Sequence, residues 1–213
     1  MALKSLFPDR TLTPENLQIL YEDNHLIAVN KPAGILIQGD ITRDISLMDV
    51  TKQYIKETYQ KPGNVYLGLI HRLDRPASGV VVFAKTSKGA SRISEQFRSR
   101  SLTKRYWALV HGHMSPPQGT VVSYLKKETK GVTLAGESDT DAQKALLTYR
   151  TIYTRDDLSL KSEVSLLEII LHTGRKHQIR AQLAAKGCPI VGDLKYGASR
   201  PLKDKTIRLI AKS

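Results

Sequence analysis

Residues 71–79 read HRLDRPASG, and they lie between two apolar runs at residues 65–70 and 80–84. Both runs have the length and composition of buried strands. The proline, serine and glycine inside the stretch favour a tight turn with a constrained backbone. The sequence therefore predicts a strand, a short structured turn that carries Asp74, and a second strand.

Asp74 is a single carboxylate between two arginines, Arg72 and Arg75. Nearby guanidinium groups favour the charged form of a carboxyl. A charged carboxylate that is held in place can act as a nucleophile or as a base. For an isolated aspartate, an ordinary ion pair that caps a turn is the alternative interpretation.

The chain before this turn predicts a β-hairpin and a helix. Two apolar stretches within residues 17–29 flank a short polar segment, as the strands of a hairpin do. Ser46 with Asp49 three residues later has the spacing of a capping box, and Leu47, Val50, Tyr54 and Ile55 follow at helical intervals. A second helix is predicted after the turn, from Ser87, with Ala90, Ile93 and Phe97 on its buried face.

The second half of the chain consists mainly of predicted strands. Residues 102–112 form one, in which Tyr106, Ala108 and Val110 share a face. Further strands are predicted at residues 145–154, 164–172 and 206–211, with a helix that begins at Thr173 and ends near Gly187. Clustered strands with few helices indicate an α+β fold with a mixed, largely antiparallel sheet and helices packed on it.

Two segments carry weaker signals. Residues 1–15 are polar and predict a loosely held arm, and residues 125–144 predict an exposed loop or an exposed hairpin. The second segment contains Lys126, Lys127 and Lys130, which could contact a phosphate backbone or could equally form a solvated face.

Composition limits the class of protein. Of 213 residues, 33 are Lys or Arg and 20 are Asp or Glu, so the net charge is +13. Such an excess favours a polyanionic partner, and nucleic acid fits better than a membrane surface because no basic amphipathic helix stands out. The single Cys188 fits a reducing compartment, so we expect a cytoplasmic protein. No glycine-rich phosphate loop and no metal-ligand spacing are present, which argues against a nucleotide cofactor or a metal.

Four segments together resemble one enzyme family. HRLDRPASG resembles the catalytic motif of the RluA family of pseudouridine synthases. The stretches EDNHLIAVNKPAG at residues 22–34, KRYWALVHG at residues 104–112 and GRKHQIRAQLAAKGCPIVGDLKYG at residues 174–197 are similar to other motifs of that family, in the expected order. The resemblance implies one catalytic domain over residues 1–213 with a central cleft, and without the small S4-like RNA-binding domain that many relatives carry at the amino terminus.

The resemblance also implies roles for particular residues. Asp74 would be the essential aspartate, Arg180 its basic partner and Tyr106 the residue that stacks on the base and takes the C5 proton. Substrate contacts are expected from Arg72, Arg75, Lys126, Lys127 and Leu183. The reaction needs no cofactor and no metal, and we expect the protein to act as a monomer.

Function is accordingly predicted as isomerisation of uridine to pseudouridine in structured ribosomal or transfer RNA. An RNA-binding relative without catalysis, acting in RNA folding or assembly, is the alternative, but mere binding does not need Asp74, Tyr106 and Arg180 together. A glycosidase or nucleosidase ranks last, because no second acid occupies a recognisable position.

Overall fold

The computed structural model describes residues 12–129, 131–160 and 162–213, and the chain divides into two compact units, Met1–Leu102 and Thr103–Ser213. Most of the predicted arm, residues 1–11, and the predicted phosphate contact Lys130 therefore lie outside the described residues. Pro14–Asn16 forms one turn of 3-10 helix. No helix in the described part of the chain is long and apolar enough to cross a membrane.

The described residues of the first unit form four strands and two α-helices. They are β1 (Ile19–Glu22), β2 (Leu26–Lys31), α1 (Leu47–Thr58), β3 (Gly68–Leu69), β4 (Ser78–Ala84) and α2 (Ser87–Arg98). Strands β1 and β2 form the predicted antiparallel hairpin, and β4 pairs antiparallel with both β2 and β3. The strand predicted over residues 65–70 shortens to two residues.

The core of this unit lies between α1 and the sheet. Leu47, Val50 and Ile55 of α1 pack with Ile27 and Val29 of β2 and with Val81 and Phe83 of β4. The capping box is confirmed, since the Ser46 amide donates to the Asp49 carboxylate at 3.1 Å and the Asp49 amide donates to Ser46 Oγ at 3.3 Å. Helix α2 differs from expectation: its buried residue is Gly89, while Ala90, Ile93 and Phe97 are half-buried.

The part of the second unit that the structure describes forms a six-stranded antiparallel sheet with one α-helix. Its elements are β5 (Arg105–His111), β6 (Gln118–Glu128), β7 (Gly131–Ala135), β8 (Gln143–Asp157), β9 (Ser162–Leu171), α3 (Gln178–Ala185) and β10 (Leu209–Ala211). The strands follow the order β10, β5, β9, β8, β6, β7. The α+β fold with a largely antiparallel sheet is confirmed. The segment 125–144 contains the end of β6, all of β7 and the first two residues of β8.

The pairing register sets the faces of this sheet. Tyr106 lies opposite Ile169 and Ala108 opposite Leu167, so Tyr106 shares the core face as its alternation predicts. Helix α3 is anchored to the sheet through Gln182, which donates to Val121 O and Ala145 O, both at 3.2 Å. The helix begins at Gln178 rather than at Thr173, because His177 adopts a left-handed conformation with φ 51°.

Candidate active site

Asp74 lies in the turn between β3 and β4. The turn is closed by a hydrogen bond from the Ala77 amide to the Asp74 carbonyl at 3.1 Å, and Gly79 follows with φ 120°, a conformation that favours glycine. His71 supports the turn from its other end, since its Nε2 accepts from the Val82 amide at 3.0 Å and its ring stacks on Phe97. The Asp74 side chain is half-buried, so a substrate can reach it.

Lys31 lies beneath this turn and is fully buried. Its Nζ donates to three backbone carbonyls, those of Pro32 at 3.0 Å, Ile35 at 2.8 Å and Arg75 at 3.1 Å. Burial lowers the pKa of Lys31 to about 7, while the Asp74 carboxylate opposes this shift and Arg75 adds to it. Lys31 thus joins the end of β2 to the residue that follows Asp74.

Arg75 is turned toward the protein. Its Nε donates to Gly34 O at 2.9 Å, and one terminal nitrogen forms an ion pair with Asp44 at 2.6 Å. The Arg75 carbonyl also accepts from the Gly34 amide at 2.7 Å. Through these contacts Arg75 holds the turn in place. Arg72 is exposed, so its side chain can contact a phosphate group.

Arg180 of α3 is buried, although an isolated helical arginine is usually exposed. Its Nε and a terminal nitrogen bind the two oxygens of Asp193 at 2.7 and 2.8 Å, and its guanidinium lies 5.0 Å from the centre of the Tyr196 ring. A bidentate pair of this kind fixes both the position and the plane of the guanidinium.

Tyr196 connects Arg180 to neighbouring elements. Its hydroxyl is 2.8 Å from His177 Nδ1 and accepts a hydrogen bond from the Val132 amide of β7 at 3.2 Å. The left-handed His177 places its ring edge-on to Tyr196, directly before α3. The start of α3 and the β6–β7 hairpin are therefore joined through one tyrosine hydroxyl.

The remaining predicted site residues have different settings. Tyr106 is half-buried on the core face of β5, and Lys127 is exposed near the end of β6 while Lys126 is half-buried. Leu183 was expected to contact the substrate, but its side chain is fully buried in α3. We correct this expectation: packing in the interior occupies Leu183, and it presents no surface to a ligand.

Sequence reasoning missed Lys31, Asp193 and Tyr196. All three lie inside the segments that carry the family resemblance, in NKPAG and in GDLKYG. The residues around Lys31 indicated only the end of a strand. Asp193 and Tyr196 contact residues of other elements, and the spacing of residues along the sequence does not reveal such contacts. A lysine followed by a strand-breaking proline, at the end of an apolar run, was the available signal for a buried ammonium group.

Each unit supplies chemically distinct groups. The first contributes Asp74, a carboxylate on a turn held by Lys31 and Arg75, and the second contributes Tyr106 and the oriented guanidinium of Arg180. A carboxylate can attack an electrophilic carbon or stabilise a developing cation, a guanidinium can orient an anion, and a phenol can move a proton. Within the described residues, no group of three or more His, Cys, Asp or Glu side chains is arranged to hold a metal ion.

Lys31 gives a prediction for stability. A lysine whose folded pKa is about 7, against 10.5 for the ordinary side chain, binds fewer protons in the folded state than in the unfolded state between these values. The free energy of unfolding should therefore rise with pH from about 7 to 10, by up to roughly 1.4 kcal/mol per pH unit from this residue. Urea unfolding at several pH values measures the slope.

Lys31→Met provides the matched test. The variant should lose this rise with pH, and its free energy of unfolding should fall behind that of the parent as the pH increases, because the neutral lysine still donates to buried carbonyls that methionine leaves without a donor. Lys56→Met, at an exposed lysine of α1, should leave both quantities unchanged. An equal pH slope in Lys31→Met and in the parent protein would contradict the assignment.

Comparison with known proteins shows the family of the chain. A model of the family described as RNA pseudouridylate synthase matches residues 25–185. The ribosomal large subunit pseudouridine synthase C of Rickettsia prowazekii is 34% identical over 179 residues, which are 84% of this chain and 56% of that protein. The tRNA pseudouridine synthase C of Vibrio cholerae is 34% identical over 190 residues, 85% of this chain and 74% of that protein.

A solved structure supports the same relationship. Human RNA pseudouridylate synthase domain containing 4 superimposes with a TM-score of 0.76 at 26% identity, covering 91% of this chain and 82% of the other. The chain spans little more than half the length of the first curated relatives that it matches. The family match extends over more than half of the chain and includes Asp74, Tyr106 and Arg180. The chain belongs to the RNA pseudouridylate synthase family.

Proposed function

We propose that this protein isomerises uridine to pseudouridine in RNA, with Asp74 as its essential residue. The observation that carries the proposal is the family match over residues 25–185, which includes the Asp74 turn. The turn itself supports a catalytic role, because Lys31, Arg75 and His71 all hold its backbone while the Asp74 side chain stays accessible.

The reaction breaks the bond between N1 of uracil and C1′ of the ribose, turns the uracil, and joins C5 to C1′. The Asp74 carboxylate attacks the sugar or the uracil ring, or stabilises an oxocarbenium-like sugar, as carboxylates do in glycosidases. The C5 proton then leaves to a base and N1 gains a proton, so the product is an isomer. Tyr106 stacks on the base and takes the C5 proton, and Arg180 orients the Asp74 carboxylate.

The substrate class that we propose is ribosomal or transfer RNA. The named relatives from Rickettsia prowazekii and Vibrio cholerae are synthases of these two classes. The target base has to leave its stack to reach a side chain, and Arg72 is suited to hold the phosphates beside it. Lys126 and Lys127 are proposed as further phosphate contacts.

We also propose that the protein acts as a cytoplasmic monomer without a nucleotide cofactor. Size-exclusion chromatography of the purified protein tests the oligomeric state.

One assay separates the candidate functions. Purified protein is incubated with bacterial ribosomal and transfer RNA that carries tritium at C5 of uridine. A synthase releases tritium and leaves the chain intact, whereas a non-catalytic RNA-binding relative binds without release. A nucleosidase frees uracil and leaves an abasic sugar. Absence of tritium release from both RNA classes would contradict the proposal.

The charge of the protein gives a prediction for RNA binding. With a net charge of +13, phosphate contacts should come from the chain itself, so affinity should fall steeply as salt increases. For about five neutralised phosphates, the slope of log K against log salt should be near −3.5 to −4.5. Filter binding between 50 and 300 mM salt measures this slope, and a nearly flat dependence would mean that the charge serves another purpose.

A further inference from the structure

The segment between β2 and α1 exposes two isoleucines. The side chain of Ile41 is 92% exposed and that of Ile45 is 65% exposed. Isoleucine is among the residues most often buried, yet single exposed apolar residues are common on protein surfaces. Exposure alone therefore does not distinguish Ile41 from other surface residues.

Ile41 lies at the tip of a structured turn. The Asp40 carboxylate accepts hydrogen bonds from the Thr42 amide at 2.8 Å and from the Thr42 hydroxyl at 2.5 Å, and the Arg43 amide donates to the Asp40 carbonyl at 3.2 Å. These bonds hold the backbone on both sides of Ile41. A side chain presented in this way binds a partner with little loss of conformational entropy.

The turn is tied to the catalytic motif. Asp44, three residues after Ile41, forms the 2.6 Å ion pair with Arg75, whose neighbour is Asp74. Three residues span at most about 10 Å, so Ile41 lies close to this ion pair. Arg75 is in turn bound to Gly34 at the other end of the segment. The exposed isoleucine and the Asp74 turn therefore belong to one hydrogen-bonded assembly within the first unit.

The charges of the segment indicate which part of an RNA it suits. Asp44 is neutralised by Arg75, and Asp40 and Arg43 carry opposite charges on either side of the tip. The tip thus lacks the positive excess that phosphates require. An apolar side chain is instead suited to the faces and edges of bases, and apolar wedges inserted between base steps unstack them and kink the helix in other nucleic-acid complexes.

We propose that Ile41 inserts against bases next to the target uridine and keeps the RNA helix open while the uridine occupies the Asp74 site. The inference rests on the proposed function, which requires the target base to leave its stack. The ion pair between Asp44 and Arg75 ties the turn that carries Ile41 to the turn that carries Asp74. The Ile41 side chain and the Asp74 carboxylate are thereby held at a constant separation.

The chain contains a matched control for this residue. Leu158 is 91% exposed on the turn between β8 and β9 in the second unit. Its turn has the same construction, since the Asp157 carboxylate accepts from the Ser159 amide at 3.0 Å and from the Ser159 hydroxyl at 2.6 Å. Ile41 and Leu158 are thus matched in apolar character, in exposure and in the hydrogen bonds of their turns. Within the described structure, only the turn of Ile41 is tied to Arg75 through an ion pair.

Photo-crosslinking tests the contact without relying on catalysis. Ile41 or Leu158 is replaced by p-benzoylphenylalanine in the full chain, and each variant is irradiated with labelled bacterial ribosomal and transfer RNA. We expect the variant at position 41 to form crosslinks to nucleotides beside the target uridine, at several times the yield of the variant at position 158. Equal yields at the two positions, or no crosslinks from position 41, would overturn the proposal.

Kinetics test whether the contact opens the helix. Ile41→Ser should slow single-turnover conversion of folded RNA on the order of ten- to a hundredfold, the range that burial of one isoleucine side chain supplies. Leu158→Ser should keep the parent rate, and circular dichroism should show both variants folded. Parent-like conversion by Ile41→Ser would overturn the proposal. A parent protein that converts no RNA would contradict the proposed function instead, and the crosslinks would still decide whether Ile41 contacts RNA.

Discussion

Asp74→Asn is expected to reduce conversion of uridine below detection while RNA affinity stays within a few-fold of the parent value. The amide keeps the size and shape of the side chain but can neither attack carbon nor stabilise a positive charge. The turn should persist, because its hydrogen bonds use the backbone of Asp74 and the side chains of Lys31 and Arg75. Tritium release from 5-tritiated uridine and a filter-binding titration measure the two quantities.

Asp44→Asn is the control for this experiment. Asp44 also pairs with an arginine of the motif, so its loss removes a carboxylate from the same part of the unit. We expect slower conversion from Asp44→Asn, because Arg75 loses a partner, but not its abolition. Substantial turnover by Asp74→Asn would show that another group performs the chemistry.

Tyr106→Phe is expected to slow the release of the C5 proton by about 100- to 10,000-fold, the usual contribution of a positioned general base. The aromatic ring remains, so substrate binding and the first steps of the reaction should persist. Tyr149→Phe is a matched control on the same sheet, where the lost hydroxyl donates to Pro116 O at 2.9 Å. Single-turnover measurements of tritium release and of bound RNA distinguish the two variants, and equal rates for them would remove Tyr106 from the reaction.

The burial of Arg180 and its ion pair with Asp193 limit which substitution can test its role. Arg180→Ala would leave Asp193 buried and unpaired, which typically costs about 3 to 5 kcal/mol of stability. Loss of activity in that variant would therefore not separate a role in folding from a role in orientation. Arg180→Lys keeps the charge but not the bidentate geometry, so a folded and slow variant would support a role in orienting a carboxylate.

Local patterns in the sequence were sufficient to predict most of the helices and strands. The hairpin β1–β2, the capping box of α1 and the alternation of β5 follow from interactions between residues close in sequence or between adjacent strands, and such patterns leave a periodic record. Boundaries were less well predicted. The strand before Asp74 shortens to Gly68–Leu69, and α3 begins at Gln178 because His177 is left-handed, a conformation that spacing does not reveal.

The sequence by itself determined the family, the α+β class and the candidate residues Asp74, Tyr106 and Arg180, because short motifs preserve the order of chemical groups. Only the tertiary structure decided which side chains hold those groups. Lys31 is distant in sequence from Asp74, and Asp193 lies outside the helix that carries Arg180. Their roles arise from burial, because a buried ammonium group needs acceptors, here three carbonyls, and a buried guanidinium needs a carboxylate. Burial of Leu183 and the inward turn of Arg75 were likewise decided by packing, which depends on residues from every element around them and so leaves no signature in any one segment.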